Sequence, residues 1–227
     1  MFVGHYAVSF ALRATHKKAS LGVLFLGVQF VDLLFFAMTF FGIEKFTIIE
    51  NYTESTHFRL DFMPYSHSLV AVMLWSLVTF IILKIFQSNK KQAKGSFFLL
   101  IAIAIFSHWL LDLIVHTPDL PVFLDNTYLV GFGLWNNAVL TYVLEAILLI
   151  AGLCFYLKST YKLGKQVTFI SRFGMPIFVI LLLVTNVVNI FGSLSIEDTN
   201  TSTALSAMIA YCLFSIIAFW LDKERVG

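Results

Sequence analysis

An all-α, polytopic integral membrane helix bundle, forming a single membrane-embedded domain over residues 1–227, is the fold class this sequence predicts. Three observations carry that reading. The chain is 59% hydrophobic and only 12% charged, with a mean hydropathy of +0.87, values that belong to multi-pass membrane proteins and leave no soluble domain over. Six apolar runs approach or exceed the roughly 20 residues needed to cross a bilayer. All but two of the 15 basic residues fall in alternate connections between those runs.

The first apolar piece, Phe2 to Leu12, is short. It lacks the basic n-region and small-residue cleavage site of a signal peptide and is interrupted by His5, so it reads as a half-spanning or tilted helix. Spans then follow near Ser20 to Gly42, Ser68 to Phe86, Ser96 to Val115, Ala138 to Leu157, Phe173 to Leu194 and Thr203 to Leu221, giving about seven helical segments. Cys154 and Cys212 fall inside spans, as small apolar packers rather than a disulfide or a metal pair. Tyr128 and Trp135 fit an interfacial aromatic belt. Gly131 and Gly133 read as a bend in a loop, with no strand-to-helix context for a nucleotide site.

Orientation follows the basic residues. Arg13, Lys17 and Lys18 form one group; Lys84, Lys90, Lys91 and Lys94 a second; Lys158, Lys162, Lys165 and Arg172 a third; Lys223 and Arg225 the last. The intervening connections hold only Lys45 and Arg59, beside Glu44, Glu50, Glu54, Asp61, Asp119, Asp125, Glu197 and Asp198. The alternation puts the basic connections and the C-terminus in the cytoplasm and the acidic connections outside. Read as topology signals, the basic clusters call for no nucleic-acid partner.

With direction assigned, each polar residue in a span acquires a depth. His108, Asp112 and His116 are spaced by four in an apolar helix, so they form a stripe, each step advancing about 40° and about 6 Å. His5, Asp32, His67, Glu145, Asn186 and Asn189 fall at the same outer-half depth. An ionisable group near the hydrocarbon centre costs roughly 2.5 to 3.5 kcal/mol on insertion scales, so convergence of this kind points to a shared polar site. Imidazole and carboxylate are suitable ligands for zinc and related divalent ions. His108 and Asp112, one turn apart, can hold one ion together. His116 lies about 12 Å from His108 along a helix axis, whereas zinc ligands sit about 2 Å from the metal. It is therefore a ligand of a second ion, an acid/base or supporting group, or a surface residue, unless the helix breaks ahead of Pro118. Asp119 is a solvated loop acid unless that break brings it in. Ser66, Ser68 and Ser107 flank histidines, but neighbours on a helix point about 100° apart, so no Ser–His dyad is expected.

Gly4-His5-Tyr6-Ala7-Val8-Ser9-Phe10-Ala11, Tyr65-Ser66-His67-Ser68-Leu69 and Phe106-Ser107-His108-Trp109-Leu110-Leu111-Asp112 occur in that order. In this ordered combination the first half of the chain resembles the small bacterial inner-membrane proteins described as membrane-bound metal-dependent hydrolases. The resemblance implies metal-ligand roles for His5, His67, His108 and Asp112. The family's acidic P-D-x-D element is reduced here to Asp32, which removes one carboxylate expected for a two-metal site. The segments His116-Thr117-Pro118-Asp119-Leu120-Pro121 and Gly131-Phe132-Gly133-Leu134-Trp135-Asn136 resemble an uncharacterised subgroup labelled as permeases.

The leading expectation is a membrane-embedded hydrolase in the bacterial inner membrane. A divalent metal, with zinc as the expected ion, would be held by His5, His67, His108 and Asp112, with Asp32 as a further ligand. Its site would face outside, His116 or Glu145 would move the proton, and the substrate would be a membrane lipid or a small or lipid-linked phosphoester. The competing readings are a transporter for a divalent metal or proton-coupled solute, and a scaffold with a closed structural metal site.

Overall fold

The computed structural model describes residues 1–16, 19–87, 95–161, 168–193 and 199–226. Lys17, Lys18, Lys90, Lys91, Lys94, Lys162, Lys165, Leu194, Glu197 and Asp198 lie outside the described residues. The architecture is the all-α, multi-pass bundle that the composition predicts.

A 3-10 turn at Val3–His5 leads into α1 (Tyr6–Thr15). The next apolar run is broken: α2 (Leu21–Val28) and α3 (Phe30–Phe40) meet at Gln29 with a bend of 52°. Ser20 starts α2, its Oγ accepting from the Val23 amide. A hairpin of β1 (Lys45–Ile48) and β2 (Phe58–Phe62) follows, antiparallel with Phe46 opposite Leu60. The one-turn α4 (Pro64–His67) then leads to α5 (Leu69–Gln87) and α6 (Gly95–Val115). A small hairpin of β3 (Leu120–Pro121) and β4 (Leu129–Val130) precedes a 3-10 turn at Leu134–Asn136. The chain ends in α7 (Ala138–Thr160), α8 (Phe169–Phe191) and α9 (Asn200–Val226), with Asn137 capping α7 and a Thr168–Ser171 capping box on α8. Helices α5 to α9 are long and apolar enough to cross a membrane, and the bent α2–α3 pair makes a sixth candidate span.

Three expectations need correction. Arg13 lies inside α1 rather than in a connection, and it is buried against Asp222 of α9, Nε to Oδ2 at 2.8 Å. The span from Ser20 to Gly42 is not one helix. Cys154 and Cys212 are free but exposed on the outer faces of their helices, so they pack no core.

Both hairpins gather at one end of the bundle. Asn126 Nδ2 donates to the Asp61 carbonyl, Asn200 Nδ2 donates to the Phe46 carbonyl, and His57 Nε2 meets the Gly192 carbonyl at the end of α8. We call this the hairpin end and the opposite one the basic end. Inside the bundle, α1 packs on α7 and α2, and α2 packs against α6 and α9. Their shared core is aromatic: Tyr6 stacks on Phe25 at 4.2 Å, Phe10 meets Phe25 and Tyr156 at 5.4 Å, and all four are fully buried. Along α1, Tyr6 and Phe10 of that layer lie between His5 and Arg13.

Candidate metal centre

Polar side chains from α3, α4, α6 and the N-terminal turn meet toward the hairpin end. His5, His67, His108, Asp112 and His116 are buried and Asp32 is half-buried. Asp112 is the hub. Its Oδ2 lies 2.9 Å from His108 Nε2, 3.7 Å from His116 Nε2 and 3.9 Å from His67 Nε2. Its Oδ1 lies 3.3 Å from His5 Nε2 and 2.6 Å from the Met1 nitrogen. Asp32 Oδ1 is 3.2 Å from His67 Nε2 and 3.4 Å from His108 Nε2. Two groups have ligand atoms close enough to share an ion, His5 with His108 and Asp112, and Asp32 with His67 and His108; His108 belongs to both.

The far side of each ring fixes what its Nε2 offers. His108 Nδ1 is 2.6 Å from the Val28 carbonyl, which can only accept, so Nδ1 carries the proton. His116 Nδ1 is held by the Asp119 carboxylate at 2.8 Å in the same sense. His67 Nδ1 is 2.8 Å from Ser66 Oγ, whose own proton goes to Glu44 Oε2 at 2.5 Å, so the hydroxyl accepts from the ring. His108 and His116 thus direct Nε2 lone pairs toward Asp112, whose Oδ1 takes the Met1 ammonium, while His67 Nε2 is within hydrogen-bond distance of Asp32 Oδ1 at 3.2 Å; a further cation among these groups relieves the repulsion that remains. His108 Nε2 shows the conflict most directly: Asp112 Oδ2 is near but outside hydrogen-bond geometry, and the atom is buried with no hydrogen-bond partner among the described residues. Protonating every ring would crowd like charges, since His5 and His108 stack at 4.0 Å and His67 meets His108 at 5.4 Å. A divalent cation fits this donor set better. Metal-binding histidines characteristically give their second nitrogen to a carbonyl or carboxylate, as His108 and His116 do here, while His67 gives its own to the Ser66 hydroxyl. His5 differs, because its Nδ1 is buried with no hydrogen-bond partner among the described residues.

Local chain geometry explains the placements. Helix α6 ends at Val115, just ahead of Thr117-Pro118, but the His116 amide still donates to the Asp112 carbonyl at 2.9 Å, so His116 stays one helical turn from Asp112 and continues the stripe. The loop after β4 seals that end: the Phe132 amide donates to the Leu113 carbonyl and the Gly133 amide to the His116 carbonyl at 2.7 Å. Gly131 has φ +157, and a Cβ there would collide with the carbonyls of His116 and Thr117. The expected loop bend is thus also a clamp on the site. Trp135, expected in an interfacial belt, lies 4.1 Å from the His116 ring. Ser66 does reach His67, contrary to the helix-neighbour argument: at the end of the one-turn α4 its Oγ lies 2.8 Å from His67 Nδ1. With its proton committed to Glu44, Ser66 supports the ring and is no nucleophile.

Glu145 stands apart from the two groups. Its carboxylate accepts from the amides of Phe2 and Gly4 at 3.0 to 3.2 Å, fixing the turn that carries His5. Asn186 is buried and belongs to neither ion-holding group, and Asn189, though exposed on α8, borders the same cavity as the cluster. Glu44 was passed over as a loop acid, since its partners, the amides of Tyr65 and Ser66, are remote in sequence. Asp32, His67, Asp112, His116 and Glu145 all border a cavity of about 360 Å³. Compared with known protein families, characterised proteins and solved structures, the chain has no match.

Proposed function

We propose that this chain is a membrane-embedded, metal-dependent hydrolase acting on an ester or phosphoester of a lipid, and that it belongs to the family its motifs resemble. The observation that carries the proposal is the set of imidazole Nε2 atoms held toward Asp32 and Asp112 beside a cavity. Asp32, His67, His108 and Asp112 would hold the ion, with His5 as a further donor; zinc suits their chemistry. Bound there, a divalent ion supplies Lewis acidity toward the scissile bond and acidifies water.

The rest falls to the chain's own groups. His116 lies in neither ion-holding group, faces the cavity and is oriented by Asp119, so its Nε2 takes the proton from attacking water and returns it to the leaving oxygen. Trp135 covers that ring and limits its access to bulk water. Glu145, engaged by two amides, holds the N-terminal turn in place. The alternation of basic residues supports a bacterial inner-membrane orientation with a cytoplasmic C-terminus and the site facing outside. The aromatic layer of Tyr6, Phe10, Phe25 and Tyr156 argues against a continuous path for an ion or solute.

The test measures metal content and release of ester products from phospholipid vesicles. Wild type should hold metal and turn over, while His108→Ala and Asp112→Ala should fold, lose metal and lose turnover. Unchanged turnover in either variant rules the mechanism out. Metal flux into sealed proteoliposomes without hydrolysis would replace it with transport.

A further inference from the structure

The cavity is larger than the chemistry alone requires, and most of its wall is hydrocarbon. Beyond the histidines and carboxylates it is bounded by Phe36 and Phe46, both buried, then by Val188 of α8 beside Thr185 and Asn189, and by Ala207, Ala210 and Tyr211 of α9 beside Thr203 and Ser206. Ala207 and Ala210 are one turn apart, and no large side chain from these positions fills the space between α8 and α9. Val188 borders the cavity and is nevertheless 66% exposed. The cavity is thus bounded in part by an exposed position of α8, a helix long and apolar enough to cross a membrane. A volume of 360 Å³ is at the lower end of the about 300 to 1,000 Å³ usual for ligand sites, room for one chain rather than two.

We propose that the space between α8 and α9 is an acyl-chain site. One hydrocarbon chain of an ester-bearing amphiphile enters from the bilayer between Val188 and Ala207, runs past Ala210 and Tyr211, and presents its polar head to the cluster of Asp32, His67, Asp112 and His116. The assignment of the head rests on the hydrolase reading above; that of the chain rests on the cavity. Two sources share this chemistry, a single-chain lysolipid and one chain of a diacyl lipid.

The experiment reconstitutes the full chain in vesicles of phosphatidylethanolamine and phosphatidylglycerol. These contain a trace of either a lysophospholipid or a diacyl phospholipid whose acyl chain ends in a diazirine. After photolysis, adducts are mapped by peptide mass spectrometry. Adducts at Phe46, Val188, Ala207, Ala210 or Tyr211 are expected, falling at least tenfold in Ala210→Trp and unchanged in Leu213→Trp, which lies on the exposed face of α9. Adducts confined to exposed faces, such as Leu213 and Ile216, would overturn the proposal from the wild-type map alone, whether or not Ala210→Trp folds. Labelling by both probes assigns a diacyl lipid donating one chain; labelling by the lysolipid alone assigns a single-chain substrate. Cavity adducts without hydrolysis of either probe retain the acyl site and discard the hydrolase. Hydrolysis without cavity adducts does the reverse.

Discussion

At the scale of single residues, the support behind each imidazole sets how firmly it can hold an ion. Outer partners of metal-binding histidines typically contribute 10- to 100-fold in affinity. Ser66→Ala and Glu44→Gln are therefore expected to weaken metal binding by about that factor while His67 stays in place, measured by competition with a chromogenic chelator. An affinity equal to wild type would mean that the Glu44–Ser66–His67 chain has no such role. Asp119→Ala separates the other function: metal content should be unchanged while turnover falls at least tenfold, because His116 loses its orienting carboxylate. His108 and Asp112 were legible from sequence because one helical turn juxtaposes them without help from the rest of the fold. Glu44 was not, because its contact is made across a hairpin, and nothing local distinguishes it from Glu50 or Glu54.

Elements are placed by close approaches that a hydropathy pattern cannot register. The spans α5 to α9 emerged from apolar length alone, since a bilayer forces helices on such runs. The bend at Gln29 did not, because the residues on both sides are equally apolar. Nor did the hairpins, whose strands of two to five residues are too short for an alternation to stand out. The clamp after β4 makes a sharp case. Any side chain at Gly131 meets the carbonyls of His116 and Thr117, so Gly131→Ala should displace His116 and lower turnover more than it lowers thermal stability. Gly152 of α7 offers the contrast, because a Cβ there comes within 2.7 Å of the Ala7 carbonyl on α1. Gly152→Val should push α1 off α7, costing about 1 to 3 kcal/mol as overpacking does, with loss of metal as His5 and its turn move. A Gly152→Val protein with wild-type melting and metal content would contradict this packing account.

Across the whole molecule, two buried polar clusters are separated by the aromatic layer, and they differ in kind. At the basic end Arg13 Nε meets Asp222 Oδ2 at 2.8 Å, Tyr156 donates to Asp222 Oδ1 at 2.8 Å, and both charged residues are buried. This cluster is internally matched, donor to acceptor, whereas the one toward the hairpin end leaves Nε2 atoms facing carboxylates. Asp222→Ala should therefore cost about 3 to 5 kcal/mol by removing the buried carboxylate that Arg13 and Tyr156 both meet, with Arg13→Met/Asp222→Leu recovering most of it and metal content unaffected throughout. Arg13 had been counted as a topology signal, and its burial weakens the first group of the positive-inside argument without touching Lys84, Lys158, Arg172, Lys223 and Arg225. Orientation is thus open to direct measurement. In a Cys154→Ser/Cys212→Ser background, Asn126→Cys at the hairpin end should react with a membrane-impermeant maleimide added outside intact cells, and Glu224→Cys should react only after permeabilisation. The opposite pattern would turn the site toward the cytoplasm, and a substrate in the outer leaflet could then no longer reach it.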